Sequence, residues 1–228
     1  MTAPSQAPAA RRPAYLVFSD VDETLIDCKS LFDFLRFHLV RRHGSRGERR
    51  YLQVRRMLHD AAAAGADRAE LNRTYYRYAF AGQSATEVYR SGRAWFDARR
   101  AEPGFFIGST LGELRRHQAC GATVVLVSGS FAPCVDPIAE HVGAARVLCT
   151  TPVIAQGLYT GEVARTMIGE GKRSAALRVL GEHPDVDPQE CYAYGDHASD
   201  IPLLDCVGRP RAVGDAPHLG AYLARRAM

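Results

Sequence analysis

Long hydrophobic runs are missing from this chain of 228 residues. None approaches the ~20 consecutive apolar residues that a helix needs to cross a bilayer, so a membrane pump is excluded. The six cysteines lie far apart and form no C-x-x-C pair, which argues against a zinc knuckle, a redox dithiol or a dense disulfide scaffold. Hydrophobic residues make up 46% of the chain, enough to build one domain with a modest insertion.

Lysine is also scarce, since Lys29 and Lys172 stand against 27 arginines. The formal net charge of +4 is too small and too evenly spread for a nucleic-acid-binding protein, and it mildly favours an anionic small molecule as partner. We expect no nucleic-acid or membrane partner. Residues 1–13 are rich in Pro, Ala and Ser and lack the apolar core of a signal peptide, so we interpret them as a flexible tail on a cytoplasmic protein.

The spacing of apolar residues changes along the chain. A short apolar run at 15–19 predicts a buried strand, whereas helical spacing between residues 29 and 105 predicts an insertion of about four helices. Strand and helix patterns then alternate to the C-terminus, with strands predicted at 123–128, near Val147 and at 191–194, a hairpin within 152–163, and a helix from about Lys172. This alternation predicts an α/β fold whose parallel sheet is covered by helices on both faces.

Polar clusters follow three of the predicted strands, where ligands bind in an open parallel sheet. The clusters are DVDET at 20–24, SGS at 128–130 and GDHASD at 195–200, and Lys172 opens a helix between the last two. If the strands are neighbours, four carboxylates, two small hydroxyls and one lysine converge on one crevice. An ionised carboxylate cluster needs a cation, for which all-oxygen ligation favours Mg²⁺. Hydroxyls, backbone N–H groups and an ammonium cradle phosphate, so the clusters together predict Mg²⁺-assisted chemistry on a phosphate ester.

In their order along the chain, these residues resemble the motifs of the haloacid dehalogenase (HAD) superfamily. The similarity is to its phosphoserine-phosphatase-like branch, subfamily IB, which has a helical cap after the first motif. DVDET matches the D-x-D-x-T signature, Ser128 the second motif, Lys172 the third and GDHASD the fourth. The resemblance covers residues 14–214 and implies a Rossmann-like core (14–28 and 106–228) with an inserted helical cap domain (29–105).

The resemblance also implies a role for each motif residue. Asp20 would be the nucleophile that forms an aspartyl-phosphate, and Asp22 would be the general acid and then the general base. Mg²⁺ would be held by Asp20, the backbone carbonyl of Asp22 and Asp196. Thr24, Ser128, the Gly129 amide and Lys172 would bind the phosphate, and Asp200 would orient Lys172 or a metal-bound water.

One position departs from the pattern of phosphoserine phosphatases, which usually carry a glutamate nine residues after the nucleophile to bind the substrate ammonium. The residue here is Lys29, and its reversed charge predicts a substrate that is anionic or polyhydroxylated rather than phosphoserine. The alternative is that Lys29 merely solvates the first cap helix. Arg56, on a predicted cap helix, is a second candidate for contact with an anionic substrate, with a solvated surface position as its alternative.

The sequence therefore predicts a Mg²⁺-dependent phosphatase that hydrolyses a small phosphate monoester, a phosphorylated metabolite. Two other functions stay open. The first is a phosphotransferase, which would use the same residues with an acceptor other than water. The second is a binding module whose core is catalytically idle. Oligomeric state and the natural substrate are not predictable from these residues.

Overall fold

The computed structural model describes residues 13–226. Of the predicted tail only Pro13 falls in this range, so that prediction lies outside the described residues. Within the range, six strands form one sheet in the order β4-β3-β2-β1-β5-β6. They are β1 (Leu16–Ser19), β2 (Thr123–Phe131), β3 (Arg146–Ala155), β4 (Leu158–Arg165), β5 (Tyr192–Gly195) and β6 (Arg209–Ala212). All neighbouring pairs are parallel except β3 and β4, and the predicted α/β fold with a Rossmann-like sheet is confirmed.

Four helices lie between β1 and β2 and form what we call the helical segment: α1 (Ser30–His43), α2 (Ser45–Ala63), α3 (Arg68–Phe80) and α4 (Ala85–Arg99). The remaining helices accompany the sheet: α5 (Gly108–Ala119), α6 (Ala132–Val142), α7 (Glu170–Gly181), α8 (Ile201–Leu204) and α9 (Pro217–Arg226). The division of the chain into a core and a cap domain stays a prediction. No helix within residues 13–226 combines the length and apolar character needed to cross a membrane.

The sheet is covered on both faces. Successive strand residues point to opposite sides, so each strand contributes to two separate cores. Leu16 and Phe18 of β1 pack on the face covered by α7, while Val17 joins the opposite core. That second core continues into the helical segment, where the ring of Phe80 lies 5.0 Å from that of Phe131 at the end of β2. The helical segment is thus anchored beside the carboxyl ends of the central strands.

Two strand predictions need correction. The strand near Val147 and the first half of the predicted hairpin are one continuous strand, β3, and its register shifts around Pro152. Proline cannot donate a ladder hydrogen bond, so it is tolerated at such an irregularity, although in the sequence it suggests an interruption. Strand β2 likewise runs beyond Ser128 to Phe131, with a register shift across the SGS cluster.

Candidate active site

The three polar clusters meet at one edge of the sheet. Strands β2, β1 and β5 are adjacent and parallel, so their carboxyl ends lie side by side. The backbone N–H of Asp20 donates to the carbonyl of Tyr194, 3.0 Å away, which ties the first cluster to the third. The predicted convergence of the motifs is therefore what the structure shows.

Lys172 connects two of these clusters through buried ion pairs. Its Nζ lies 2.8 Å from Oδ1 of Asp20 and 2.7 Å from Oδ1 of Asp200, and all three side chains are almost inaccessible. Burial by itself would lower the pKa of Lys172, but the charges of Asp20 and Asp200 outweigh it and raise the pKa. Burial raises the pKa of Asp20 well above its ordinary value, and Lys172 opposes that rise. The lysine therefore stays charged between its two partners.

Asp200 is fixed from several sides. Its Oδ2 accepts the backbone N–H groups of Asp196 and His197 at 3.3 and 3.1 Å, while its Oδ1 accepts from Lys172. Gly195 makes this close approach possible, because a Cβ there would lie 2.7 Å from that of Asp200. The geometry fits the predicted role of Asp200 in orienting Lys172.

Carboxylate oxygens of Asp20, Asp196 and Asp200 lie within 4.8 Å of one another. This donor set consists of hard oxygens only, which suits Mg²⁺. Asp196 also accepts a 2.8 Å hydrogen bond from the Thr24 hydroxyl. The cluster differs from the predicted metal set in containing the carboxylate of Asp200, whereas the prediction used the backbone carbonyl of Asp22.

Asp22 is partly buried beside Asp20 and has an unusual titration. Burial raises its pKa to about 6, while hydrogen bonds from the Ser30 hydroxyl and backbone N–H pull the pKa down. Its Oδ1 is buried and has no hydrogen-bond partner within residues 13–226. A carboxyl group with this pKa exchanges protons readily near neutral pH, which is what a general acid and base requires.

The second cluster is held by contacts to both the sheet and the helical segment. The Gly129 carbonyl accepts from Asn72 Nδ2 of α3 at 2.9 Å and from the Thr150 hydroxyl of β3 at 2.8 Å. Ser128 is fully buried, and its hydroxyl oxygen accepts the backbone N–H of Ser130 at 3.0 Å. Gly129 lines the pocket beside Asp20 and Lys172, whereas the hydroxyls of Thr24 and Ser128 are engaged inside the protein. The phosphate-binding roles of Thr24, Ser128 and Gly129 stay predictions.

The mouth of the pocket is lined by Lys29, Glu23 and Arg68. Lys29 is half-exposed and forms an ion pair with Glu23 at 3.2 Å, so its charge is largely balanced, which the sequence argument did not foresee. Arg68, in the first turn of α3, has no ion pair among the described residues. Arg68 therefore supplies the unpaired positive charge that we expected from Lys29.

The structure does not bring Arg56 to the site. It is exposed on α2 and does not line the pocket or its extension, which Arg55 lines instead. The sequence holds the signal that separates them. Each residue advances ~100° around a helix, so Arg56 lies opposite the buried stripe of Val54 and Leu58, while Arg55 flanks it.

The family model for haloacid dehalogenase-like hydrolases matches residues 17–205. The chain belongs to this family. Among curated relatives, an "Inhibition of morphological differentiation protein" of Streptomyces azureus is 44% identical over 101 residues, which cover 44% of this chain and 36% of that protein. A probable phosphatase of Mycobacterium tuberculosis is 41% identical over 97 residues, covering 42% and 33%. A phosphoserine phosphatase of Halobacterium salinarum is 34% identical over 104 residues, covering 45% and 49%. The chain spans less than half the length of each of these relatives.

Solved structures support the same assignment at the level of the fold. A Bordetella pertussis protein of unknown function superposes with a TM-score of 0.78 at 23% identity, covering 94% of this chain and 96% of that one. A substrate-bound phosphoserine phosphatase gives 0.66 at 17% identity, covering 93% and 91%. The predicted membership in the HAD superfamily, with likeness to phosphoserine phosphatases, is confirmed.

Some residues of this HAD-like site were missed from the sequence. Ser30 is the first residue of α1. It is buried, and its hydroxyl lies within hydrogen-bond distance of the Ser130 hydroxyl, at 2.8 Å. Asn72 and Arg68 reach the pocket from α3. Their positions depend on how α3 packs against the sheet, and a local motif contains no signal for that.

Proposed function

We propose that this HAD-like hydrolase is a Mg²⁺-dependent phosphatase acting on a small phosphate monoester. The observation that carries the proposal is Lys172, held between Asp20 and Asp200 beside the carboxylate of Asp196. A fixed ammonium next to a nucleophilic carboxylate suits phosphoryl transfer, where positioning and electrostatics dominate catalysis. The family match and the relatives named as phosphatases support a phosphoric monoester hydrolase.

The reaction follows from what each side chain can do. Asp20 keeps Oδ1 on Lys172 and attacks phosphorus with Oδ2, so that an O–P bond forms as the ester O–P bond breaks. Asp22 gives its proton to the departing alkoxide, which leaves as an alcohol. Asp22 then accepts a proton from the water that attacks the aspartyl-phosphate, releasing inorganic phosphate and restoring Asp20. The charge of Lys172 stabilises the transferring group in both steps.

The carboxylates of Asp20 and Asp196, with the backbone carbonyl of Asp22, would hold Mg²⁺, as the oxygen-only donor set allows. When bound, the ion would offset the repulsion between the phosphate and the Asp20 carboxylate. Asp200 already accepts hydrogen bonds from Lys172 and from two backbone amides, and it would hold Lys172 and the Asp196 backbone in position. We further propose that α1–α4 act as the cap over the pocket and that the protein works in the cytoplasm without nucleic-acid or membrane partners.

The proposed substrate is not phosphoserine, because no carboxylate at the mouth is free to bind its ammonium group among the described residues. Glu23, which lines the mouth, is already paired with Lys29. Arg68 adds a second positive charge at the mouth, and it has no ion-pair partner among the residues that the structure describes. An amine near the ester would be repelled there, whereas an anionic leaving group would be attracted.

Phosphate release should be measured over a panel containing p-nitrophenyl phosphate, phosphoserine, sugar phosphates and phosphorylated carboxylic acids, with Mg²⁺ and with EDTA. We expect Mg²⁺-dependent release that favours acids over phosphoserine and is lost in Asp20→Asn. Efficient turnover of phosphoserine would refute the specificity while leaving the phosphatase. Transfer to added alcohols would indicate the phosphotransferase. The absence of release from every ester would favour the idle binding module.

A further inference from the structure

A groove continues from the catalytic pocket along the helical segment. The pocket beside Asp20 is small, about 110 Å³, while the adjoining groove measures about 400 Å³. Both are lined by Lys29, Leu31, Phe32, Arg68, Asn72 and Ile168, so they form one continuous space. A phosphate seated at Asp20 would therefore leave the rest of its molecule pointing into the groove.

The floor of the groove is apolar. Phe32, Leu71 and Ile168 are only partly buried there, and the ring of Phe32 meets that of Tyr75 edge-on at 5.7 Å. Apolar surface that stays accessible in a groove favours an aliphatic or aromatic ligand body, which would remove it from water. Leu31, Leu58 and Tyr75 complete this apolar lining, and Leu58 and Tyr75 are buried.

The rim of the same groove is basic. Lys29, Arg55, His59 and Arg68 line it, and no carboxylate does so among the described residues. The Arg55 guanidinium lies 4.7 Å from the centre of the Phe32 ring and donates to the Tyr51 hydroxyl at 3.2 Å. Neither Arg55 nor Arg68 has an ion pair within residues 13–226. Two unpaired guanidinium groups above an apolar floor call for an anion as well as an apolar body.

We propose that the preferred substrate is an elongated phosphate monoester with a second anionic group. Its ester phosphate lies at Asp20, its apolar middle packs on Phe32 and Leu71, and its distal carboxylate or phosphate is bound by Arg55 and Arg68. The inference rests on the proposed phosphatase function and adds the substrate class. A short substrate such as phosphoserine would leave most of the groove empty.

The test compares two series of substrates of increasing chain length, alkyl phosphates and the corresponding ω-carboxyalkyl phosphates. We expect kcat/KM to rise with chain length in both series, because more apolar surface is buried. At the best length we expect the carboxylate to add roughly tenfold in kcat/KM, the effect of one good charge-assisted contact. A phosphate at the distal end should act like the carboxylate.

Matched arginine variants locate the effect. Arg55→Ala and Arg68→Ala should bring the ratio of kcat/KM between the carboxylate and alkyl members down toward one. Arg56→Ala and Arg73→Ala remove exposed arginines from the same helices, α2 and α3, at positions outside the groove, and should keep the ratio. All four positions are exposed, so folding should be unaffected, as circular dichroism would verify.

Two kinds of failure are distinguishable. No Mg²⁺-dependent release from p-nitrophenyl phosphate by the wild-type protein, or full release by Asp20→Asn, overturns the phosphatase function and the inference with it. Release from p-nitrophenyl phosphate combined with equal cleavage of carboxylate and alkyl partners at every length overturns the inference alone. The inference is also overturned, with the phosphatase function left intact, if Arg55→Ala and Arg68→Ala behave like their controls.

Discussion

The charges in the site do not balance by themselves. If Asp20, Asp196 and Asp200 are all ionised, Lys172 neutralises only one of three buried or partly buried carboxylates. Burial is the first cause of the raised pKa values of Asp20 and Asp196, and the nearby charge of Asp200 raises both further. A divalent cation would remove the excess without protonating Asp20.

Replacing Lys172 with methionine should abolish phosphate release and lower the free energy of unfolding by about 3–5 kcal/mol at neutral pH, because two buried carboxylates lose their cation. Lys29→Met, which removes the chain's other lysine from a half-exposed ion pair, should change it by less than about 0.5 kcal/mol. Urea unfolding measures both. The Lys172→Met deficit should shrink at low pH, as Asp20 takes up a proton. Equal stability of the two variants would show that the buried pairs contribute little.

Ser30 acts on Asp22, the proposed general acid, through a hydrogen bond. Its hydroxyl lowers the pKa of Asp22, so Ser30→Ala should raise that pKa above about 6 while the backbone N–H contribution remains. A ¹³C NMR titration of the Asp22 carboxyl in the metal-free protein gives the value directly. Ser45→Ala, at an exposed position at the start of α2, is the control. A pKa that stays at about 6 or falls in Ser30→Ala would contradict this account.

At the scale of elements, the helices were more predictable than the strand limits. Apolar residues at helical spacing indicate each of α1–α4, because a packed helix must keep one face apolar. The prediction divides β3 because Pro152 is typical of a strand interruption. It ends β2 early because Ser-Gly-Ser is typical of a turn. Local propensity marks where a chain can bend, whereas pairing with neighbouring strands decides whether it does.

The contact between α4 and α6 depends on one glycine. A Cβ on Gly92 would lie 2.0 Å from the Pro133 carbonyl oxygen, so Gly92→Ala should destabilise the protein by about 1–3 kcal/mol despite the better helix propensity of alanine. Gly112→Ala, in the interior of α5, meets only the end of Arg116 at 3.9 Å and should stabilise by up to about 1 kcal/mol. Thermal unfolding compares them. A stable Gly92→Ala would mean that the two helices can move apart at little cost.

At the scale of the whole molecule, the site joins residues that lie far apart in sequence. The motif residues were predictable because the chemistry restricts residue type at the ends of strands that parallel pairing brings together. The pairing of Lys29 with Glu23 and the arrival of Arg68 and Asn72 were not, since they depend on a loop conformation and on how α3 packs. Glu23 has a positive φ of 59°, a geometry that nothing in its residue type announces.

Mg²⁺ should stabilise the folded protein as a whole, because a ligand that binds only the folded state adds its binding free energy. At a concentration about a hundredfold above Kd the gain is about 2.7 kcal/mol. For a chain of this size that corresponds to a rise in Tm of roughly 5–10 °C. Differential scanning fluorimetry with Mg²⁺ and with EDTA measures the shift, which Asp196→Asn should abolish and the exposed Asp215→Asn should keep. An unchanged wild-type Tm would argue against a magnesium site.

The hydrogen bond from Asn72 to the Gly129 carbonyl has a consequence for recombining parts of such enzymes. It spans 57 residues of sequence and attaches α3 to the backbone whose amide is predicted to hold phosphate. A chimera that received its helical segment from a relative lacking an amide side chain at this position would lose part of the support of its own phosphate loop. Substrate preference and catalytic competence would then be linked, and an exchanged segment would support the Gly129 backbone only where its donor has an amide side chain at position 72.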